Sequence, residues 1–180
     1  MREEISALSC TPLDPTKMFS VYIAVAYWSI HAVELLSVAS ADGYLYPVCD
    51  SVSLPALPRS LLLHDFGSAP QILIGLRNGT LVTYTFVKNA LEDRRIFSLG
   101  TEPVGLTQFE MGNKWVVFAS GSRAALFYAE KGAMQHSSVL IKVNLSSIRT
   151  KPALFNVVLG LRTYPRVPGS TLRTGHPRYF

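Results

Sequence analysis

The chain has 180 residues, of which 48% are apolar and 16% are charged, a composition that fits one folded domain or two small ones. It excludes a disordered tail, a charge-rich coiled coil and a collagen-like or low-complexity sequence. The net charge of +5 lies at one end, because residues 1–141 carry ten basic and twelve acidic side chains while residues 142–180 carry seven basic side chains and no acid. The nearly neutral body gives no electrostatic reason to expect a nucleic-acid-binding domain.

The first residues are not typical of export or membrane insertion. They include Glu3 and Glu4 and lack the apolar run of a signal peptide. The longest apolar block, Val21–Trp28, is far shorter than the ~20 residues of a membrane-spanning helix. Cys10 and Cys49 form neither a CxxC pair nor a disulfide framework, so we expect free thiols in a reducing compartment.

Short apolar runs separated by turn residues follow one another along the chain. Each has the length of a β-strand and is rich in Val, Ile, Leu, Phe and Tyr. None has a 3.6-residue apolar period over three turns, so the sequence predicts an all-β chain. The predicted strands are Val21–Trp28, Ala32–Val38, Arg59–Phe66, Gln71–Leu76, Thr80–Val87, Arg94–Leu99, Val104–Glu110, Lys114–Ala119, Ala124–Ala129 and Val139–Leu145.

One turn between these strands has a specific sequence. Asn78-Gly79 lies between Gln71–Leu76 and Thr80–Val87, and apolar and polar residues alternate in the second of these runs. Asn-Gly is favoured in a type I′ turn, because both central residues of that turn have positive φ. The pattern predicts a β-hairpin with a type I′ turn.

The predicted strands also repeat. A shift of 44 places lays Ile74–Leu81 over Phe118–Ala125, Ile72 over Val116 and Val82 over Leu126. A looser copy, Ala26–Val33, matches Ile74–Leu81 at a shift of 48. A period of about 40–50 residues with four short strands per unit is typical of β-propeller blades.

We therefore predict a partial β-propeller of about three to four four-stranded blades in an open arc. It occupies residues 1–159, with blades at about 58–103 and 104–145, a partial blade before them and the start of another after them. A closed propeller has roughly four to eight blades, so we expect a piece of a longer protein. Residues 160–180 are predicted to be an irregular basic tail, either an arginine-rich arm or, as we favour, an incidental end.

The sequence contains no catalytic motif that we recognise. A phosphate-binding glycine-rich loop, an HExxH motif and a nucleophile elbow are all missing. We interpret His64-Asp65 as a polar pair at a strand end. His31, His136 and His176 are too scattered for a metal site. We predict no catalytic residue, no cofactor and no metal ligand.

Two tryptophans and three arginines are candidate binding residues. Trp28 and Trp115 have similar places in their blades and are predicted to pack in the core or between blades, with ligand stacking as the less favoured alternative. Arg59, Arg94 and Arg95 are predicted to cap or bridge blade elements, with partner binding as the alternative.

Seven segments have a distinctive order and spacing. They are Ile5–Leu13, Tyr22–Trp28, Leu57–Leu63, Leu91–Arg95, Leu99–Pro103, Phe118–Arg123 and Val143–Leu145. Together they resemble the family of the large subunit of the UV-damaged-DNA-binding complex, over roughly residues 3–159. The Pro-Arg-Ser and Leu-Gly-Thr-x-Pro motifs are the most specific. A weaker likeness extends to the large polyadenylation-specificity factor and the splicing-factor 3b propeller subunit.

The resemblance implies a scaffold and not an enzyme. Members of that family have three seven-bladed propellers, and this chain is similar to the later blades of the middle one, which docks the cullin-4 arm of a ubiquitin ligase. The implied partners are a cullin-4 type scaffold and substrate-receptor proteins in DNA repair. Contact with nucleic acid is expected to be indirect or weak, and no membrane or small-molecule substrate is implied. The expected location is the nucleus, and also the cytoplasm. The matched motifs are structural, so the partner-binding residues stay unknown.

Two other functions stay open. One is a propeller subunit of a splicing or polyadenylation factor that binds nucleic acid. The other, with least support, is a propeller enzyme whose active-site blades lie outside this chain.

An open arc leaves the faces of its terminal blades uncovered, so we expect the isolated chain to be poorly stable or prone to aggregate. Circular dichroism should give a β-type spectrum and a low melting temperature. A sharp transition above ~65 °C, at the upper end of typical mesophilic domains, would argue against an open arc.

Overall fold

The computed structural model describes residues 4–13, 17–38, 43–67, 69–112, 114–141 and 159–160. All regular secondary structure in these residues is β, and three antiparallel sheets of four or five strands follow one another along the chain. The predicted all-β partial propeller is confirmed. No helix in the described part of the chain has the length and apolar character needed to cross a membrane.

The first sheet contains β1 (Ile5–Ser9), β2 (Tyr22–Tyr27), β3 (Ala32–Val38), β4 (Leu45–Pro47) and β5 (Val52–Ser53). The second contains β6 (Pro58–Asp65), β7 (Pro70–Leu76), β8 (Thr80–Val87) and β9 (Ala90–Ser98). The third contains β10 (Gly105–Met111), β11 (Lys114–Ser120), β12 (Ala125–Glu130) and β13 (Ala133–Ser138). In the second and third sheets consecutive strands pair as a meander, and β14 (Leu140–Ile141) pairs with β15 (Leu159–Gly160).

The apolar runs locate β2, β3, β6–β8 and β10–β12 to within one residue at each end. The apolar runs miss the outer strand β13 and the first half of β9. Both belong to outer strands that are largely exposed to solvent, and such strands lack a continuous apolar pattern. The apolar runs also miss β1 and the short strands β4 and β5. Residues 142–145 of the last predicted strand lie outside the described residues, and so does the basic tail apart from Gly160. The predicted boundaries of the domain, the blades and the tail therefore stay predictions.

The Asn78-Gly79 hairpin forms where predicted, but its turn is not type I′. The loop between β7 and β8 has three residues, Arg77 to Gly79, and of these only Gly79 has positive φ, at 80°. A three-residue hairpin loop needs only one left-handed residue, at its last position. The side chain of Asn78 accepts a hydrogen bond from the Thr80 amide at 3.2 Å and so stabilises this alternative turn.

The three large sheets pack face to face through closed apolar layers. Ile72 on one face of the second sheet packs with Ala24 of the first sheet, and Leu73 on the opposite face packs with Val117 of the third. All four side chains are fully buried. Burying a side chain the size of Ile or Leu stabilises a fold by about 1.5–3 kcal/mol, so these layers are the main apolar contribution to the arc.

The first sheet leaves its other face uncovered by the sheets described. Leu8, Val21, Val38 and Leu45 on that face are each more than a third exposed. These side chains are the structural basis for the low stability expected of the isolated chain.

The 44-residue alignment is out of register by one residue. It places Ile72 over Val116, but Ile72 faces the preceding sheet whereas Val116 lies on the face of the third sheet that is turned away from the second. The residue that faces the preceding sheet is Val117. Side chains alternate along a strand, so a slip of one residue transfers every side chain to the other face. The repeat period was therefore right and its register wrong.

Residues 44 apart are instead neighbours across the junction of the second and third sheets. The Ser60 hydroxyl donates to the Val104 carbonyl at 2.7 Å, and the Val104 amide donates to the Leu76 carbonyl at 3.1 Å. Gly75 lies against this pair, because a Cβ atom on Gly75 would overlap both the Ser60 hydroxyl and the Val104 carbonyl. We call Ser60, Gly75, Leu76 and Val104 the sheet junction.

We predict that Gly75→Ala destabilises the chain by about 1–3 kcal/mol, since the added methyl group must push Val104 away from Ser60. Gly121→Ala is the matched control, because a Cβ atom there meets its nearest neighbour, the Leu99 carbonyl oxygen, at an ordinary 3.4 Å. Urea unfolding measures both. Equal losses of stability for the two variants would contradict the close approach at Gly75.

A buried histidine also makes contact between the second and third sheets. His64 is 7% exposed, its Nδ1 lies 3.2 Å from Gln108 Oε1 on β10, and its ring contacts Phe66 edge-on at 4.4 Å. Burial lowers the pKa of His64 below its ordinary 6.5, although the Gln108 hydrogen bond and the Asp65 charge oppose the shift. The folded chain therefore holds this ring neutral.

This lowered pKa predicts acid destabilisation. Below pH 6.5 the unfolded chain binds a proton that folded His64 rejects, so stability is lost as the pH falls from 6.5 towards the folded pKa, by at most about 1.4 kcal/mol per pH unit. In His64→Gln this component should disappear from the pH dependence of urea unfolding. His31→Asn, at an exposed turn position, should keep it. An unchanged pH dependence in His64→Gln would refute the assignment.

Candidate protein-interaction site

The specific motifs of the sequence fix the segment that connects the second and third sheets. The Leu99 amide donates to the Gly79 carbonyl and the Leu99 carbonyl accepts from the Arg123 amide, both at 2.8 Å. The Ser122 hydroxyl oxygen accepts from the Thr101 and Glu102 amides at 3.3 and 3.2 Å. The segments Leu99–Pro103 and Phe118–Arg123 thus bind each other and hold the third sheet against the second.

The Pro-Arg-Ser motif makes contacts to both neighbouring sheets. Ser60 belongs to the sheet junction, and the Arg59 guanidinium lies 6.0 Å from the centre of the Trp28 ring, on the first sheet. This distance is at the outer limit of a cation–π contact. Arg59 therefore bridges two sheets, as predicted for it.

An open groove of about 540 Å³ lies at the hairpin-tip end of the first two sheets. We call it the hairpin-tip groove. Among the described residues that line it none is acidic, and Arg59 at its border adds a second guanidinium to that of Arg77. The lining residues are Trp28, His31, Ala56, Leu57, Arg77 and Asn78.

Backbone hydrogen bonds fix both walls of the hairpin-tip groove. On one wall the Trp28 amide donates to the Glu4 carbonyl, and the Leu54 amide donates to the carbonyl of His31, each at 2.7 Å. On the other wall the Arg77 amide donates to the Leu57 carbonyl at 2.9 Å. The groove is thus held open by the fold, so a partner would meet a preformed surface.

The two tryptophans are not core residues. Trp28 is 41% exposed and Trp115 is 43% exposed, so of the two predicted positions, in the core or between blades, the core is excluded for both. Trp28 directly follows β2 and Trp115 is the second residue of β11, so each ring lies at a strand end. Trp28 does lie between sheets through Arg59, whereas Trp115 lines a different cavity.

The other two arginines act locally. Arg95 forms a two-contact ion pair with Asp93, two residues earlier on β9, through Nε at 3.0 Å and Nη2 at 2.7 Å. Both side chains are about half exposed, and pairs of this kind contribute little to stability. Arg94 lies close enough to Tyr84 to oppose the rise in the Tyr84 pKa that burial causes. Neither arginine bridges sheets in the way Arg59 does.

A second cavity, of about 230 Å³, lies at the opposite end of β6. We call it the strand-end cavity. It contains the His64-Asp65 pair, and Asp65 caps the following turn by accepting the Gly67 amide at 2.7 Å. This agrees with a polar pair at a strand end. The lining residues are Pro12, Leu13, Lys17, His64, Asp65, Gln108 and Trp115.

Within the described ranges, no three His, Cys, Asp or Glu side chains come together to hold a metal ion. The shifted pKa values belong to Cys49 and Tyr84, which are raised, and His64, which is lowered, and burial is the largest cause of each. These pKa shifts therefore reflect how the side chains are packed. What the arrangement offers is a rigid surface with an exposed aromatic ring beside arginines, which suits contact with another macromolecule.

Comparison with known proteins agrees with this geometry. DNA damage-binding protein 1 of Oryza sativa subsp. japonica is 29% identical over 146 residues, and that of Drosophila melanogaster is 29% identical over 149. DNA damage-binding protein 1a of Arabidopsis thaliana is 27% identical over 141 residues. These alignments cover 77–81% of this chain but only 12–13% of each relative, so the chain spans a small part of their length.

A family model described as the RSE1/DDB1/CPSF1 second beta-propeller matches residues 1–150. That range contains the three large sheets and every motif that forms the junction between the second and third of them. The chain therefore belongs to the family of the RSE1/DDB1/CPSF1 second β-propeller.

Proposed function

We propose that this chain is a non-catalytic scaffold segment of an adaptor resembling DNA damage-binding protein 1, and that it links a cullin-4 type ubiquitin ligase to substrate receptors in DNA repair. The observation that carries the proposal is the exposed Trp28 ring beside Arg59 on a groove with fixed walls. Tryptophan and arginine are the residues most enriched among the dominant contacts of protein interfaces. The adaptor would act in the nucleus and also in the cytoplasm.

The charge of the hairpin-tip groove supports a protein partner with an acidic or aromatic segment. Arg77 lines the groove and Arg59 lies 6.0 Å from the centre of the Trp28 ring, and each guanidinium can bind a carboxylate through two parallel hydrogen bonds. Trp28, which also lines the groove, offers an exposed aromatic ring. A helix or loop carrying an aromatic residue next to an acidic one would complement this surface.

A second candidate follows from the same groove. An aromatic ring beside arginines also suits single-stranded nucleic acid, whose bases stack on such rings. This chemistry would fit an RNA-processing subunit from another branch of the family. The damage-binding names of the relatives reported above support the adaptor as the first candidate.

Binding of the N-terminal region of a cullin-4 homologue, measured by calorimetry on the full chain, tests the adaptor. We expect Trp28→Ala to weaken binding at least tenfold, about 1.4 kcal/mol, as for a dominant interface residue. Ile96→Ala is the control, since that side chain on β9 is 57% exposed, lines neither of the two openings and should leave binding unchanged.

Two results would contradict the adaptor. Equal affinity of Trp28→Ala and the wild type for the cullin would show that the hairpin-tip groove is not part of the interface. Binding of single-stranded RNA together with no binding of the cullin would favour the RNA-processing candidate. Circular dichroism of both variants should match the wild type, because each replaced side chain is exposed.

A further inference from the structure

We propose that the strand-end cavity binds the guanidinium group of an arginine side chain, presented by an extended segment of a protein partner. The cavity lies at the other end of β6 from the hairpin-tip groove, so the proposal does not depend on the adaptor function. Its volume of about 230 Å³ is below the roughly 300–1,000 Å³ of sites that enclose whole drug-sized ligands. It is therefore suited to one side chain and not to a free cofactor.

Two side chains that line this cavity, those of Asp65 and His64, can accept hydrogen bonds. Asp65 uses Oδ1 to accept the Gly67 amide, and its Oδ2 has no other partner among the described residues. His64 Nδ1 lies 3.2 Å from Gln108 Oε1, and the neutral tautomer that donates this bond carries its proton on Nδ1. Nε2 of the neutral ring is then an acceptor on a residue that lines the cavity. A carboxylate and an imidazole nitrogen together favour a cationic group with several donors.

An aromatic wall narrows the choice of cation. Trp115 is 43% exposed and lines the same cavity, and tryptophan is the ring that attracts cations most strongly. A guanidinium is planar, stacks on such a ring and presents five donors in a fixed arrangement, whereas an ammonium is compact and more strongly hydrated. Arginine therefore matches the Trp115, Asp65 and His64 set better than lysine.

Lys17, which also lines the strand-end cavity, determines how tightly we expect an arginine side chain to bind there. It already takes part in an interaction of its own, and its positive charge opposes a second cation nearby. The contact should therefore be weak for a single arginine and gain strength only within a longer partner segment. Removing this charge should strengthen binding.

The experiment uses the full chain with Trp28→Phe, so that Trp115 is the single tryptophan and its fluorescence reports on the cavity. The probes are acetyl-Gly-Arg-Gly-amide and the same peptide with citrulline, which has the shape of arginine without its charge. We expect saturable binding of the arginine peptide, at least fivefold weaker binding of the citrulline peptide, and tighter binding of arginine in Lys17→Met.

Two carboxylate variants complete the test. Asp65→Asn should weaken binding of the arginine peptide at least fivefold, whereas Asp93→Asn, which removes an exposed carboxylate on β9, should leave it unchanged. Equal affinity for the arginine and citrulline peptides, an Asp65→Asn variant that binds like wild type, or no saturable change in fluorescence would each overturn the proposal.

Discussion

The junction at Val104 joins two sheets through both backbone polar groups of one buried residue. Its amide reaches Leu76 and its carbonyl reaches the Ser60 hydroxyl, and this approach is possible because Gly75 has no side chain in the way. Buried backbone groups must be paired, so these hydrogen bonds fix where β10 begins relative to β6 and β7. The position of each following strand in the third sheet depends on that starting point.

Both openings in the arc follow from this constraint. The Leu99–Val104 segment is bonded to the second sheet at both of its ends and to the turn between β11 and β12, so the third sheet has little freedom to shift. The hairpin-tip groove and the strand-end cavity then lie at opposite ends of the second sheet, with Trp28 at one and Trp115 at the other. The arc thus presents two surfaces whose relative positions the junction fixes.

Much of the fold could be predicted from the sequence, because period-two apolar runs identify buried strands directly. β3 and β8 begin and end at the predicted residues. The register of the repeat could not be predicted, since Val116 and Val117 are chemically equal and only packing decides which one faces the second sheet. The outer strand β13 was missed because its last four residues, Gln135 to Ser138, are all polar.

The interaction surfaces were less accessible to prediction. Trp28 and Trp115 were predicted to pack in the core or between blades because tryptophan is apolar, yet each lies at a strand end and is more than a third exposed. The placement of both rings next to turn residues was the available signal. Arg59 was assigned a bridging role correctly, but that its partner would be Trp28 depends on the angle between the first two sheets, which local sequence does not specify.

Amide hydrogen exchange at the junctions tests the central claim most directly, namely that the sheets are held as one unit. The amides of Val104 and Arg123 donate between segments, and that of Leu63 donates to the Ser9 hydroxyl on β1 at 3.1 Å. If the sheets form one unit, these three amides should exchange as slowly as that of Val82 in the centre of the second sheet. Fast exchange at the three junctions together with slow exchange at Val82 would contradict the account, because the sheets would then open independently.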